Sequence, residues 1–295
     1  PWPIFAQLQF NLSIQGESVL QKLSHYGQLY WSKDCLPATL SSSKTMLKAT
    51  CKPLRIGFLS ADIGDHVVGR FIMSILSAKS ELFTADIIST QRRFDADSLS
   101  ISQAATQAYS TQGLSCQEAR SLIKSNHYNI IIDTSGYTRN SGIGLLSDRC
   151  APIQCHYIGY HASTYAPFID YFIADRVLIP QETESLFSEE VYRLRRTWLA
   201  LTANYLPDMN LIQNRGQGNQ EIRFGSFCQA SKINDKTLEI WSSVLTRVPN
   251  SSMLIKSINM TDCLRSKVLS TFELNSISAS RIRFIEPTVA YTEHL

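Results

Sequence analysis

Three groups of residues combine reactive side chains with a spacing that can serve chemistry. His66 lies in the loop after the run Leu54–Ser60 and before a helix-like segment. An imidazole changes charge near neutral pH, so in a ligand-facing loop it can polarise a hydroxyl or orient a polar ligand. The plainer alternative is a polar residue that starts a helix. Gln229 and Lys232 follow another apolar run and precede a second helix-like segment. A cation beside a helix N-terminus can stabilise charge that builds on a departing diphosphate, although a solvated loop lysine looks the same in sequence. Asp133 closes the run Tyr128–Asp133 and either caps the next turn or holds a ligand hydroxyl. Gly136 and Gly159 suit unusual backbone or a close approach. Tyr137 and Tyr160 suit either the wall of a cleft or a buried position with a satisfied hydroxyl. His161 opens the loop His161–Tyr165, where an ordinary loop role competes with a catalytic one.

The elements that must position these residues are legible from apolar periodicity. Residues 4–32 carry apolar side chains at helix spacing (Leu20, Leu23, Tyr26, Leu29, Tyr30), and the Ser, Thr and Lys of 33–52 read as a linker. From residue 53 short apolar runs alternate with helix-like stretches. Strands are expected over 54–60, 83–89, 128–133, 153–158 and between Phe168 and Ala174, with helices over 67–78, 99–109 and 116–125. Continuously apolar strands alternating with helices imply a parallel sheet covered on both faces. Such sheets bind ligands at the carboxyl ends of their strands, which directs attention to Ser60–His66, Asp133–Asn140 and Gly159–Tyr165. After a polar linker over 204–220, strands near 222–227, 252–256 and 282–285 with helices over 235–247 and 260–272 open a second unit of the same kind. Asn234 or Asp235 is its first helix cap, and Trp241 belongs to its core. The expected organisation is therefore a helical region 1–52, a first α/β lobe 53–203, a linker 204–220 and the start of a second lobe 221–295.

Composition narrows the partners. The net charge of +3 comes from 28 basic and 25 acidic residues that are scattered, which argues against a nucleic-acid footprint. Apolar runs fall short of the roughly 20 residues a membrane span needs. Seven cysteines without a C-x-x-C pair suggest free thiols in a reducing compartment. With no leader-like start at Pro1, a cytoplasmic location is expected. Six histidines without metal spacing give no metal site.

The segment from Arg55 through Ser60 to His66 resembles the opening strand and His-bearing loop of O-GlcNAc transferase and its SPINDLY-type relatives. Ile131–Thr138 is similar to that family's strand ending in a Gly-(Tyr or His)-Thr turn. Ala151-Pro152-Ile153-Gln154, continuing to Gly159-Tyr160 and Asp170-Tyr171, resembles its most recognisable segment. Phe227-Cys228-Gln229-Ala230-Ser231-Lys232-Ile233 resembles its Phe-x-Gln-x-x-Lys-Ile loop, followed by a Trp-bearing helix and Arg247–Ser251. Residues 1–50 are similar to the helical stretch that joins the family's tetratricopeptide repeats to its catalytic region.

The resemblance implies a GT-B fold of two Rossmann-like lobes. It also implies metal-independent transfer of N-acetylglucosamine from UDP-GlcNAc to Ser or Thr of a protein acceptor, with no resident cofactor. His66 and Lys232 would be catalytic, and Gln229 and Lys232 would bind the donor. Asp62, Asp133, Gly136, Tyr137, Gly159, Tyr160 and His161 would lie toward the acceptor or cleft. A GDP-fucose donor, or a non-catalytic remnant, are the alternatives. The loop His161–Tyr165 replaces the family's usual Pro-Gly-Thr-Ser-Gly, and Arg195 stands where a proline is usual. The family's Gly-His-Thr-Thr phosphate turn is not found in 286–295, and His294 does not substitute for it. The expectation is a chain cut short within its second lobe, which alone binds nucleotide sugar weakly or not at all.

Overall fold

Residues 53–78, 80–91, 95–201 and 222–287 are described by the structure, a computed structural model. The helix expected over 4–32, the linkers over 33–52 and 204–220, and His294 lie outside these residues. The chain divides into two units, Pro1–Tyr205 and Leu206–Leu295.

In the first unit the chain alternates β1 (Leu54–Ser60), α1 (Val67–Ser77), β2 (Phe83–Ser89), α2 (Ala96–Ala104), β3 (Ala108–Ser110), α3 (Cys116–Ser125), β4 (Ile130–Asp133), β5 (Ile153–His156), β6 (Tyr171–Ala174) and β7 (Glu190–Arg193). The strands form one sheet in the order β3-β2-β1-β4-β5-β6-β7, with every pairing parallel. Apolar residues cover both faces because successive strand side chains point oppositely. Phe58, Ile87 and Ile132 pack on one face with Val68, Phe71 and Ile72 of α1 and Ile101 of α2. Leu59, Ile88 and Ile131 pack on the other with Ile123 of α3 and with Ile143 and Leu146 of a 3₁₀ turn. The strand order reverses between β1 and β4, so the loops leaving these two strands diverge and open a crevice at the carboxyl edge.

Three elements depart from the sequence expectation. The helix expected over 99–109 spans Ala96–Ala104 instead, because Asp95 and Ser98 form a reciprocal capping box at its start. The chain then returns to the sheet as β3, a three-residue edge strand. β7 is a second strand absent from the reading; it is held by pairing along Tyr171–Ala174 of β6.

The second unit contains β8 (Ile222–Ser226), α4 (Asp235–Arg247), β9 (Ser251–Lys256), α5 (Asp262–Leu274) and β10 (Ile282–Ile285), with parallel strands in the order β10-β9-β8. Asn234 caps α4 by accepting from the Thr237 amide. Leu238, Leu245, Ile255, Val268 and Phe272 make its core, and Trp241 packs against that core while only partly buried. Arg281 fastens the end of α4 to the start of β9 through the carbonyls of Leu245, Val248 and Ser251. Among the described residues no helix is long and apolar enough to cross a membrane.

Candidate active site

The carboxyl edge of the first sheet gathers most of the residues singled out from sequence. β1 ends at Ser60, and its exit loop is tied to the loop after β4 by the Ala61 amide, which donates to Ser135 Oγ at 2.8 Å. His66 is the N-cap of α1, with Nδ1 accepting from the Val68 amide at 3.3 Å. That bond places the proton of the neutral ring on Nε2, which makes that nitrogen a donor. Asp62 Oδ1 lies 3.9 Å from the same Nδ1, while Asp62 Oδ2 is buried and finds no partner among the described residues. Burial raises the proton affinity of Asp62; the nearby imidazole acts against this, and the charge of Asp133 adds to it.

Asp133 and His156 end two adjacent strands and face each other in register. Both are fully buried, with Asp133 Oδ2 at 2.7 Å from His156 Nδ1. Asp133 also accepts from the amide of Gly136 at 2.8 Å. His156 Nε2 lies 2.9 Å from the Tyr160 carbonyl, which can only accept. Burial pushes the imidazole toward neutrality, but the hydrogen bond and charge of Asp133 together with the Tyr160 carbonyl outweigh it and raise its pKa. This pair is the main feature that sequence reasoning missed. The available signal was a polar residue closing each of two neighbouring apolar strands.

The pair anchors the loops that hold the two glycines. Gly136 has φ +51°, and a Cβ there meets the Cβ of Tyr160 at 2.5 Å. Gly159 passes so close to Thr134 that a Cβ would stand 1.8 Å from its carbonyl oxygen. Ile158, just before it, has φ +78°, a costly conformation for a β-branched residue. Tyr137 and Tyr160 meet edge to face at 5.4 Å, and each is 2% exposed. The buried alternative describes both, with the Tyr137 hydroxyl donating to the Thr164 carbonyl. His161 is exposed and packs edge to face on Trp198 at 5.4 Å.

The loop His161–Tyr165 is firmly held despite its unusual composition. Glu189, buried just before β7, accepts from the Thr164 amide at 2.7 Å, from the Thr164 hydroxyl, and from Ser163 Oγ at 2.6 Å. Hydroxyls at 163 and 164 thus replace backbone adaptability with side-chain bonds to one carboxylate.

The segment Ala151–Gln154 with Asp170 does different work. Gln154 is fully buried, accepting from the Cys150 amide and donating to the carbonyls of Leu146 and Phe168. Asp170 receives both guanidinium nitrogens of Arg149, at 2.6 and 3.0 Å. These residues sit where β5 and β6 begin, at the opposite edge from His66, and their role is architectural.

In the second unit Gln229 precedes the 3₁₀ turn Ala230–Lys232, whose last amide donates to the Gln229 carbonyl at 2.9 Å. Gln229 and Lys232 are both exposed. A cavity of about 190 Å³ opens at the carboxyl ends of β8, β9 and β10, lined by Phe227, Cys228, Gln229, Lys256, Ser257, Ile258 and Pro287. Gln229 reaches this cavity; Lys232 is not in its lining. Lys256, closing β9 and only 6% exposed, is a second cation at this edge that sequence reasoning passed over as part of a strand. Asp62, His66, Asp133, Gly136, Tyr137, Gly159, Tyr160 and His161 therefore share one edge of the first unit, and Gln229 and Lys232 lie at one edge of the second.

Comparison with known proteins decides the family. Residues 37–209, more than half of the chain, match the model of glycosyl transferase family 41. The chain belongs to that family. It is 27% identical over 84% of its length to the SPINDLY protein of Arabidopsis thaliana, named a probable UDP-N-acetylglucosamine–peptide N-acetylglucosaminyltransferase. It is 30% identical over 76% of its length to the rice protein of the same name. The chain spans 28% and 25% of these two relatives. A mutant O-GlcNAc transferase of Thermobaculum terrenum has the same fold, with a TM-score of 0.80 at 19% identity over 93% of this chain and 52% of that one. The GT-B assignment rests on this likeness and on the parallel sheets described above.

Proposed function

We propose that this family 41 chain contributes to a transferase that moves N-acetylglucosamine from UDP-N-acetylglucosamine to a Ser or Thr hydroxyl of a protein. The observation that carries the reading is the Asp62–His66 arrangement at the exit of β1, with an imidazole donor beside a carboxylate whose second oxygen is buried and unpartnered. The acceptor oxygen attacks the anomeric carbon, and the bond from that carbon to the diphosphate breaks. The hydroxyl proton passes to Asp62, whose raised proton affinity suits it as general base. His66, donating from Nε2, orients the acceptor or the sugar. Asp133 and His156 hold the loops at Gly136 and Gly159 against the crevice. In the second unit Gln229 and Lys232 serve the diphosphate, and the cation offsets charge on the leaving group. No resident cofactor or metal enters this reading.

Transfer of labelled N-acetylglucosamine by the full-length protein, scored by mass on acceptor proteins, tests it. Asp62→Asn and Lys232→Ala should each lower transfer at least roughly 100-fold. Wild-type rates from both variants contradict the assignment.

A further inference from the structure

A cavity of about 650 Å³ opens where the chain leaves β6 and β7. Because these strands pair in parallel, both exits fall on the same sheet edge as His66 and Gly159. Arg176 follows β6, and Arg195 and Arg196 follow β7; all three line the cavity beside the apolar Val177, Leu178 and Trp198. The three guanidiniums form no ion pair or hydrogen bond among the described residues. The arginines just before them are committed, Arg149 to Asp170 and Arg193 to Glu184. The one carboxylate in the lining is already occupied. Asp175 accepts from the amides of Val177 and Leu178 and, at 2.8 Å, of Trp198. That last bond stitches the two exit loops together, so the basic wall stands on a fixed floor.

The cavity is joined to the proposed acceptor loop through Trp198. Its ring packs edge to face on His161 at 5.4 Å and on Tyr157 at 6.3 Å, and its carbonyl accepts from the Tyr157 hydroxyl. The volume lies in the range that encloses a ligand-sized group, more than one carboxylate needs. Val177, 89% exposed, offers apolar contact beside the charge. Guanidinium forks match carboxylates in bidentate geometry. Strands of a sheet stand about 4.8 Å apart, so the ends of β6 and β7 are roughly 14–19 Å from that of β1, which Asp62 and His66 follow, a distance spanned by about four to six residues of extended chain.

We propose that this cavity is a subsite for acidic side chains of a polypeptide acceptor, with Arg176, Arg195 and Arg196 as its anion-binding groups. The inference deepens the acceptor reading above and rests on it. It makes the protein selective for Ser or Thr flanked, about four to six residues away, by Asp or Glu.

Peptide binding tests it without requiring turnover. A short fluorescent peptide with a central Ser and Glu at those flanking positions is titrated into the full-length protein by anisotropy, alongside the same peptide with Gln for Glu. The expected preference for the Glu peptide is roughly tenfold at low salt, weakening as salt rises. Arg195→Ala with Arg196→Ala should bring the ratio close to one, and Arg195→Glu with Arg196→Glu should invert it toward a Lys-bearing peptide. Equal affinity for the Glu and Gln peptides in the wild type overturns the proposal. So does a preference that survives both double variants, or arginine-dependent binding of inorganic pyrophosphate with none of the peptide. A charge preference in a protein that transfers no sugar leaves the subsite standing and removes the transferase reading. Sugar transfer to Glu and Gln peptides alike, with equal binding, does the reverse.

Discussion

Nδ1 of His156 lies 2.7 Å from Oδ2 of Asp133, with both side chains fully buried at the ends of paired strands. The other ring nitrogen faces the Tyr160 carbonyl at 2.9 Å. The carboxylate at one ring nitrogen and the carbonyl at the other both favour the doubly protonated ring, and the raised pKa of His156 points the same way, to an imidazolium held by a carboxylate. Through it the loop after β4 and the loop after β5 are fastened to each other, the first by the Gly136 amide on Asp133 and the second by the Tyr160 carbonyl on His156.

Stability should therefore depend on pH through His156. Its pKa in the folded protein is raised above the ordinary value of 6.5, so the folded state binds the proton more tightly than the unfolded state. The contribution is fully present below about pH 6.5 and is lost as pH rises through the folded pKa. Thermal melts between pH 6 and 9 should show the melting temperature falling on the alkaline side. Asp133→Asn should remove that slope and cost about 3–5 kcal/mol, because one charge of a buried pair is left alone. A flat profile in the wild type contradicts the imidazolium assignment.

Gly159→Ala should destabilise the first unit, since its Cβ would stand 1.8 Å from the Thr134 carbonyl oxygen and backbone must move. Overpacking of this kind costs about 1–3 kcal/mol. Gly144→Ala is the control, because a Cβ there meets no atom within 4 Å among the described residues. Chemical denaturation of the two variants checks the contrast. Equal midpoints would mean that the β5 exit loop does not press on Thr134 as described.

The contrast shows what the sequence could and could not reveal. Gly159 and Gly136 were legible as glycines with a purpose, although the atoms they avoid, on Thr134 and Tyr160, belong to other loops. The central strands were legible because burial on both faces demands unbroken runs such as Ile130-Ile131-Ile132. β3 and β7 were not, since Ala108-Tyr109-Ser110 and Glu190-Val191-Tyr192-Arg193 carry no such run and are strands only because a neighbour supplies their hydrogen bonds. Missing β7 hid the basic cavity, because nothing placed Arg195 and Arg196 beside Arg176. Gln154 and Asp170 were legible as a motif, but their position at the amino ends of β5 and β6 separates a structural signature from a chemical one.

His66 holds two roles that a pair of substitutions separates. As N-cap it satisfies the Val68 amide, and an Ala there should cost about 0.5–2 kcal/mol. Asn is a better cap than His, so His66→Asn should keep the wild-type melting temperature while losing the Nε2 donor. Transfer by the full-length protein should then fall roughly 100- to 1000-fold in both variants. Near wild-type transfer by His66→Asn would reduce His66 to its capping role.

Asp62 should set the acid limb of the rate. Its pKa is raised by burial, with the imidazole of His66 opposing and the charge of Asp133 adding to the rise. A general base works only when ionised. Transfer by the full-length protein should therefore fall as pH drops through the raised Asp62 pKa, at a higher pH than an ordinary carboxylate would give. Asp62→Asn should lower kcat strongly and leave a residual rate without that limb, because no carboxylate remains to be protonated there. Asp62→Glu retains an ionisable group but displaces it by one methylene. It should keep a limb at reduced kcat, with KM for the donor changed less than kcat. An acid limb that persists unshifted in Asp62→Asn assigns the proton acceptor elsewhere and leaves Asp62 as a partner that orients His66.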